Sequence, residues 1–157
     1  MTRRLSLFGA TGSVGQSTLD LVRRDGEAWD VAVLTANCDV AELAKLALEF
    51  RPDIAVVADE SCHGALKDAL AGTGIETAAG AAALVEAAQR PTDLVMAAIV
   101  GTAGLAPTMA ALEAGTDVAL ANKEALVSSG ELMTAAARKS GATILPVDSE
   151  HNAIFQC

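Results

Sequence analysis

Basic residues are scarce in this chain. Its 157 residues include 11 Lys and Arg against 20 Asp and Glu, a formal net charge of −9. So few cations cannot neutralise phosphates over a broad face, which excludes a nucleic-acid partner and an anionic membrane surface. Any anionic ligand must be held by backbone amides and a few placed cations. Cysteine is scarce as well. Cys38, Cys62 and Cys157 are odd in number and share no metal-ligand spacing, so the chain reads as reduced and cytoplasmic. Cys62 and His63 have no partners with which to build a zinc site.

Long hydrophobic runs are missing too. The apolar stretch after Arg3-Arg4 stops at Gly9, too soon for a secretory signal. Leu94 to Leu112 carries no charge, but Gly101, Gly104 and Pro107 break it into strand, loop and helix, so no membrane span is expected. No repeat, low-complexity tract or linker interrupts the chain, which reads as one domain.

What is present is an alternation of short apolar runs with alanine-rich helical segments. Strands are expected at Leu5–Phe8, Val31–Leu34, Ile54–Val57, Ile75–Ala78, Leu94–Val100, Val118–Ala121 and Thr143–Val147. Helices are expected at Ser13–Arg24, Val40–Phe50, Glu60–Leu70, Ala81–Ala88, Thr108–Ala114 and Glu131–Ser140, and Asp39 and Glu42 have capping-box spacing ahead of the second. Seven strands separated by helices imply an α/β fold with a doubly wound parallel sheet, the Rossmann-like arrangement in which a dinucleotide-binding domain would carry its glycine turn after the first strand.

Gly9-Ala10-Thr11-Gly12-Ser13-Val14-Gly15 falls between the first strand and the first helix. Glycines there let the backbone turn tightly and approach a pyrophosphate, whose charge meets the helix N-terminus. Thr11 and Ser13 add hydroxyl donors. The spacing is looser than G-x-G-x-x-G, and glycines kept for packing alone are the competing reading. Placement in the first βα unit favours binding. The loop after the second strand, Asn37-Cys38-Asp39, has no Lys or Arg, so it does not by itself predict a 2′-phosphate on the ligand. The larger share of the reading makes Asp39 a helix cap.

Two polar segments come after strands at the edge where such sheets bind ligands. One is Ala121-Asn122-Lys123-Glu124. The other is Pro146-Val147-Asp148-Ser149-Glu150-His151-Asn152. In an extended segment Asp148 and Glu150 point the same way and can converge on one hard cation, with Ser149 facing differently. Oxygen donors suit Mg²⁺ or Mn²⁺ better than zinc. His151 reads as a structural hydrogen-bonding residue.

The Gly9–Gly15 turn, the Ala121–Glu124 run with Leu126–Gly130, Met96–Gly101, and Pro146–Gln156 together resemble the 1-deoxy-D-xylulose 5-phosphate reductoisomerase family over essentially the whole chain. The resemblance implies an NADPH-dependent, Mg²⁺- or Mn²⁺-dependent oxidoreductase of the non-mevalonate isoprenoid pathway. It would convert its sugar phosphate to 2-C-methyl-D-erythritol 4-phosphate, as a homodimer in the intact protein. Carried over, Thr11, Gly12, Ser13 and Val14 line the coenzyme pyrophosphate, and Asn37, Cys38 and Asp39 flank the adenosine. Asn122 and Glu124 contact the coenzyme near its reactive end. Lys123 meets the substrate, Asp148 and Glu150 bind the metal, and Ser149 and Glu150 also touch substrate. Residues 1–147 form the coenzyme-binding domain and 148–157 open the catalytic region.

Two departures qualify that likeness. The family's second-strand loop usually carries a basic residue, and Asn37-Cys38-Asp39 has none. The chain also stops at Cys157, where family members continue with a further carboxylate ligand, phosphate-binding residues and a lid. It therefore reads as an excised domain or truncated chain, expected to bind coenzyme without turning over. The competing readings are a standalone NAD(P)-binding or sensing module and a semialdehyde-dehydrogenase-like coenzyme domain. The latter needs an activated cysteine that the positions of Cys38, Cys62 and Cys157 do not suggest.

Overall fold

A computed structural model describes residues 1–147. The elements run β1 (Arg3–Phe8), α1 (Ser13–Arg24), β2 (Trp29–Ala36), α2 (Val40–Phe50), β3 (Ile54–Val57), α3 (His63–Ala69), β4 (Glu76–Ala79), α4 (Ala81–Ala88), β5 (Leu94–Ala97), α5 (Leu105–Glu113), β6 (Asp117–Leu120), α6 (Lys123–Ser140) and β7 (Ile144–Pro146). The seven strands are all parallel in the order β4-β3-β2-β1-β5-β6-β7. The chain therefore moves outward on one side of β1, then returns and moves outward on the other. Helices α1 to α3 pack on one face and α4 to α6 on the other.

Alternation along β1 makes the two faces. Leu5 and Leu7 join a core with Leu19 of α1, Leu43 and Leu46 of α2, and Leu66 of α3. Phe8 points the other way, into a core with Leu84 of α4, Leu112 of α5 and Met133 of α6. A parallel sheet covered on both faces needs strands apolar throughout, which is why the run Val31–Ala36 is buried at every position.

Most element ends lie within one or two residues of the sequence expectation, and four larger differences each have a local reason. β5 ends at Ala97 because its partner β1 ends at Phe8; after the Ala98 amide donates to the Phe8 carbonyl at 2.9 Å, Gly9 turns away with φ +89°. Residues 98–100 thus become loop. The expected helix Glu60–Leu70 is a 3₁₀ turn at Glu60–Cys62 followed by α3, set up by Asp59, whose carboxylate accepts from the Ser61 amide at 2.9 Å. α5 starts earlier, at Leu105, with Pro107 in its first turn, where a missing N–H costs nothing. α6 starts at Lys123 rather than Glu131 and bends at Ser129 (φ −141°, ψ 20°), within the Ser128-Ser129-Gly130 sequence that weakens a helix.

Candidate functional site

β1 is the strand with β2 on one side and β5 on the other, so the crevice at their carboxyl ends is where a doubly wound sheet takes its ligand. The glycines of the turn there have separate jobs. A Cβ on Gly9 would lie 2.7 Å from the Ala98 carbonyl oxygen, and one on Gly15 would lie 2.2 Å from the Gly9 carbonyl oxygen. Both are packing glycines. Gly12 has no neighbour closer than 3.6 Å to that point, so space remains beside it.

The turn is held from below. The Gly9 amide donates to the Thr35 hydroxyl at 3.0 Å, and the Ala10 amide donates to the Thr35 carbonyl at 2.8 Å. Thr35 is buried in β2. Helix α1 then begins without a cap: no side chain bonds its first turn, and no acid lies in it. The Gln16 amide makes the first helical bond, to the Gly12 carbonyl at 2.9 Å, which leaves the amides of Ser13, Val14 and Gly15 without a helical acceptor. α2 and α6 are capped by Asp39 and Asn122. The open start of α1 therefore concentrates positive dipole at the crevice.

Two adjoining clefts flank that start and share Ala98, Ile99 and Val100. The first, about 310 Å³, is bordered by Gly9, Thr11, Gly12, Asn37 and Ala58. The second, about 250 Å³, is bordered by Val14, Asn122, Lys123 and Glu124. Val100 is 85% exposed and Val14 40% exposed, apolar surface of the kind a flat ring would cover. Thr11 is half-buried, whereas Gly12, Ser13, Asn37, Cys38 and Asp39 are exposed.

Asn122 has a positioning role that the sequence did not disclose. It is 5% exposed, and its amide nitrogen donates to the Ile99 carbonyl at 2.8 Å and the Gly101 carbonyl at 2.6 Å. Its oxygen accepts from the Ala125 amide at 3.1 Å, capping α6. The side chain is thereby committed to the loop after β5 and to the helix. Lys123 and Glu124 occupy the first turn of α6, exposed at the second cleft.

At the other end, Asp39 caps α2 by accepting from the Glu42 amide at 3.1 Å. Only half of the expected capping box forms, because the Glu42 carboxylate accepts from the Gln16 side-chain Nε2 at 3.1 Å and pairs with Lys45 at 3.4 Å. Asp59 lies alongside, its amide donating to the Asn37 carbonyl at 3.0 Å. The Ser61 hydroxyl and amide bonded to its carboxylate hold that carboxyl below its usual range. Neither Cys38 nor Cys62 borders either cleft.

Asp148, Ser149, Glu150 and His151 lie outside the described residues. Among the described residues, no group of three His, Cys, Asp or Glu is placed to hold a metal ion, and no helix is long and apolar enough to cross a membrane. Reading the sequence missed Thr35, the Ala98–Val100 wall and the two hydrogen bonds that Asn122 donates to the loop after β5. Thr35 is expected just after the second strand, which instead runs on to Ala36 and buries it.

A family model described as 1-deoxy-D-xylulose 5-phosphate reductoisomerase matches residues 5–130. The chain belongs to that family. It is 57% identical over 154 residues to the 1-deoxy-D-xylulose 5-phosphate reductoisomerase of Ruegeria sp. strain TM1040, covering 98% of this chain and 39% of the relative. The Zymomonas mobilis reductoisomerase, solved in complex with NADPH, superposes with a TM-score of 0.97 at 55% identity, over 100% of this chain and 41% of that one. A reductoisomerase solved with NADPH, fosmidomycin and magnesium superposes with a TM-score of 0.94 at 42% identity, over 99% of this chain and 38% of that one. The chain thus spans about two fifths of the length of the reductoisomerases it matches.

Proposed function

We propose that this chain forms the coenzyme-binding part of a 1-deoxy-D-xylulose 5-phosphate reductoisomerase, with the uncapped start of α1 taking the pyrophosphate of NADPH. One observation carries the reading: α1 begins at the sheet's switch point with three amides lacking a helical acceptor, no acid in its first turn, and open space at Gly12. Thr11 and Ser13 add hydroxyls to that anion site. Asn37, Cys38 and Asp39 flank the adenosine end, and the Val14–Val100 surface takes the nicotinamide end. The coenzyme, when bound, supplies the hydride. Asn122 keeps the Ile99–Gly101 loop against the start of α6, so that Lys123 and Glu124 stand at the reactive end. Lys123 there offers a positive charge to an anionic sugar phosphate in an acidic protein.

The metal falls to Asp148 and Glu150, hard oxygen donors two residues apart that suit Mg²⁺ or Mn²⁺, with Ser149 and Glu150 also toward substrate. When bound, the ion would polarise a substrate carbonyl. Within the same reading the intact protein acts as a homodimer on 1-deoxy-D-xylulose 5-phosphate, giving 2-C-methyl-D-erythritol 4-phosphate.

The test is Ser13→Asp. A carboxylate in the first turn opposes a bound pyrophosphate yet favours the helix dipole by about 0.3–1 kcal/mol. The variant is expected to keep or raise its melting temperature while NADPH affinity, read by calorimetry, falls by about tenfold or more. Unchanged affinity would place the coenzyme elsewhere.

A further inference from the structure

All of the Lys and Arg lie among the described residues, and the topology sorts them by edge. Strand starts and helix ends share one edge of a doubly wound sheet, and ligands bind at the other. Every cation except Lys45 and Lys123 lies at a strand start, in the last turn of a helix or just beyond a helix end. Lys123 stands at the ligand edge, but in the second cleft. Lys45 is midway along α2 and pairs with Glu42 at 3.4 Å.

The loops beside the Asn37–Ala58 end of the first cleft are therefore acidic. The loops after β2 and β3, tied together by the Asp59–Asn37 bond, carry Asp39, Asp59 and Glu60 and no cation. The start of α2 offers less compensation than the start of α1 does. Its Glu42 amide is taken by Asp39, and its Val40 amide donates to the Cys38 carbonyl at 2.9 Å. A ribose 2′-phosphate needs a cation or free helix-start amides, and an acidic loop suits a free 2′-hydroxyl instead.

We propose that this end of the cleft does not read the 2′-phosphate, so that the chain holds NADH as tightly as NADPH; Cys38, exposed next to the cleft-lining Asn37, brings no cation within reach. The inference rests on the dinucleotide reading of the cleft. It concerns the selectivity of that site and not its existence.

Calorimetric titration of the full chain with NADPH and with NADH, at low salt and in about 0.5 M salt, tests it. The expected result is an NADPH affinity no more than about fivefold that of NADH. Salt should shift the ratio toward NADPH, because it screens repulsion between the phosphate and Asp39 and Asp59. NADPH binding more than about fivefold tighter, or a ratio that moves toward NADH with salt as a cation contact requires, would overturn the inference and leave the coenzyme site standing. Binding of neither nucleotide would overturn both. Cys38→Arg should raise the NADPH-to-NADH affinity ratio by about tenfold. An unchanged ratio would mean the loop does not face the ribose, which also defeats the proposal.

Discussion

The hydroxyl of Thr35 accepts a hydrogen bond from the amide of Gly9 at 3.0 Å, joining a buried strand residue to the turn that leads into α1. The bond lies just past the last β1–β2 pair, Leu7 with Leu34, and so extends the contact between the two segments beyond the end of β1. It holds the turn's backbone at the position from which α1 starts.

Thr35→Val conserves shape but removes the acceptor. The Gly9 amide is then left without its partner, at a cost of about 1–3 kcal/mol. Thr35→Ser keeps the hydroxyl and is expected to lose less. Urea unfolding of the three proteins measures this, and equal stability of the Val and Ser variants would show that the hydroxyl contributes nothing to the turn.

Asn122 joins two structures with one side chain, and substitution separates its roles. Asn122→Ala loses the cap and both bonds to the loop after β5, with an expected loss of about 1–3 kcal/mol. Asn122→Asp still caps α6, because aspartate is as good a cap as asparagine. It puts a carboxylate against the Ile99 and Gly101 carbonyls, where the amide donated. The Asp variant is therefore expected to be no more stable than the Ala variant at neutral pH. Near-wild-type denaturation of the Asp variant would reduce Asn122 to a cap.

Much of the fold was legible in the sequence because local and tertiary demands agree. The bounds expected for Ser13–Arg24, Val40–Phe50, Ile54–Val57 and Ala81–Ala88 coincide with those observed. Each is an apolar run or amphipathic stretch bounded on at least one side by Gly or a charged residue. Elements went astray where a partner decides the boundary. Nothing within Ala98–Val100 says that the strand has ended; the loss of β1 at Gly9 does. Lys123–Ser128 is helical although Ser128-Ser129-Gly130 interrupts it, because Asn122 caps the start.

The site divides in the same way. Gly9, Gly12 and Gly15 are visible as a pattern, but which of them packs and which leaves room depends on Ala98 and on the turn's own backbone. Thr35 and Asn122 act on residues 26 and 21–23 positions away. Spacing along the chain carries no trace of such pairs.

Asp59 makes stability depend on acid. Its carboxyl sits below the usual range because the Ser61 hydroxyl, then the Ser61 amide, bond its charged form. A depressed folded-state pKa contributes stability above the unfolded value, near 4, and that contribution is lost as pH falls through the folded value. Asn at this position accepts the same bonds without titrating. Asp59→Asn is thus expected to be the less stable protein at pH 7, with the gap closing as pH falls below about 4. Urea midpoints from pH 7 to about pH 2 provide the check, and a gap independent of pH would show that the charge on Asp59 is not what strengthens those bonds.

Gly12 and Gly15 make a matched pair for separating fold from binding. A methyl at Gly15 would meet backbone atoms, the Gly9 oxygen at 2.2 Å and the Ala10 carbonyl carbon at 2.8 Å. Backbone cannot rotate aside, so Gly15→Ala must displace the turn, at about 1–3 kcal/mol. Gly12 has φ −79° and ψ 173°, open to any residue, and its nearest obstacle is at 3.6 Å. Gly12→Ala is therefore expected to keep its stability within about 0.5 kcal/mol. Its methyl would nevertheless fill the space beside the unpartnered amides of α1. The expected signature is a fall of about tenfold or more in NADPH affinity with an unchanged melting temperature, against loss of both in Gly15→Ala. If Gly12→Ala bound NADPH as the parent does, the space beside Gly12 would not be where the phosphates lie.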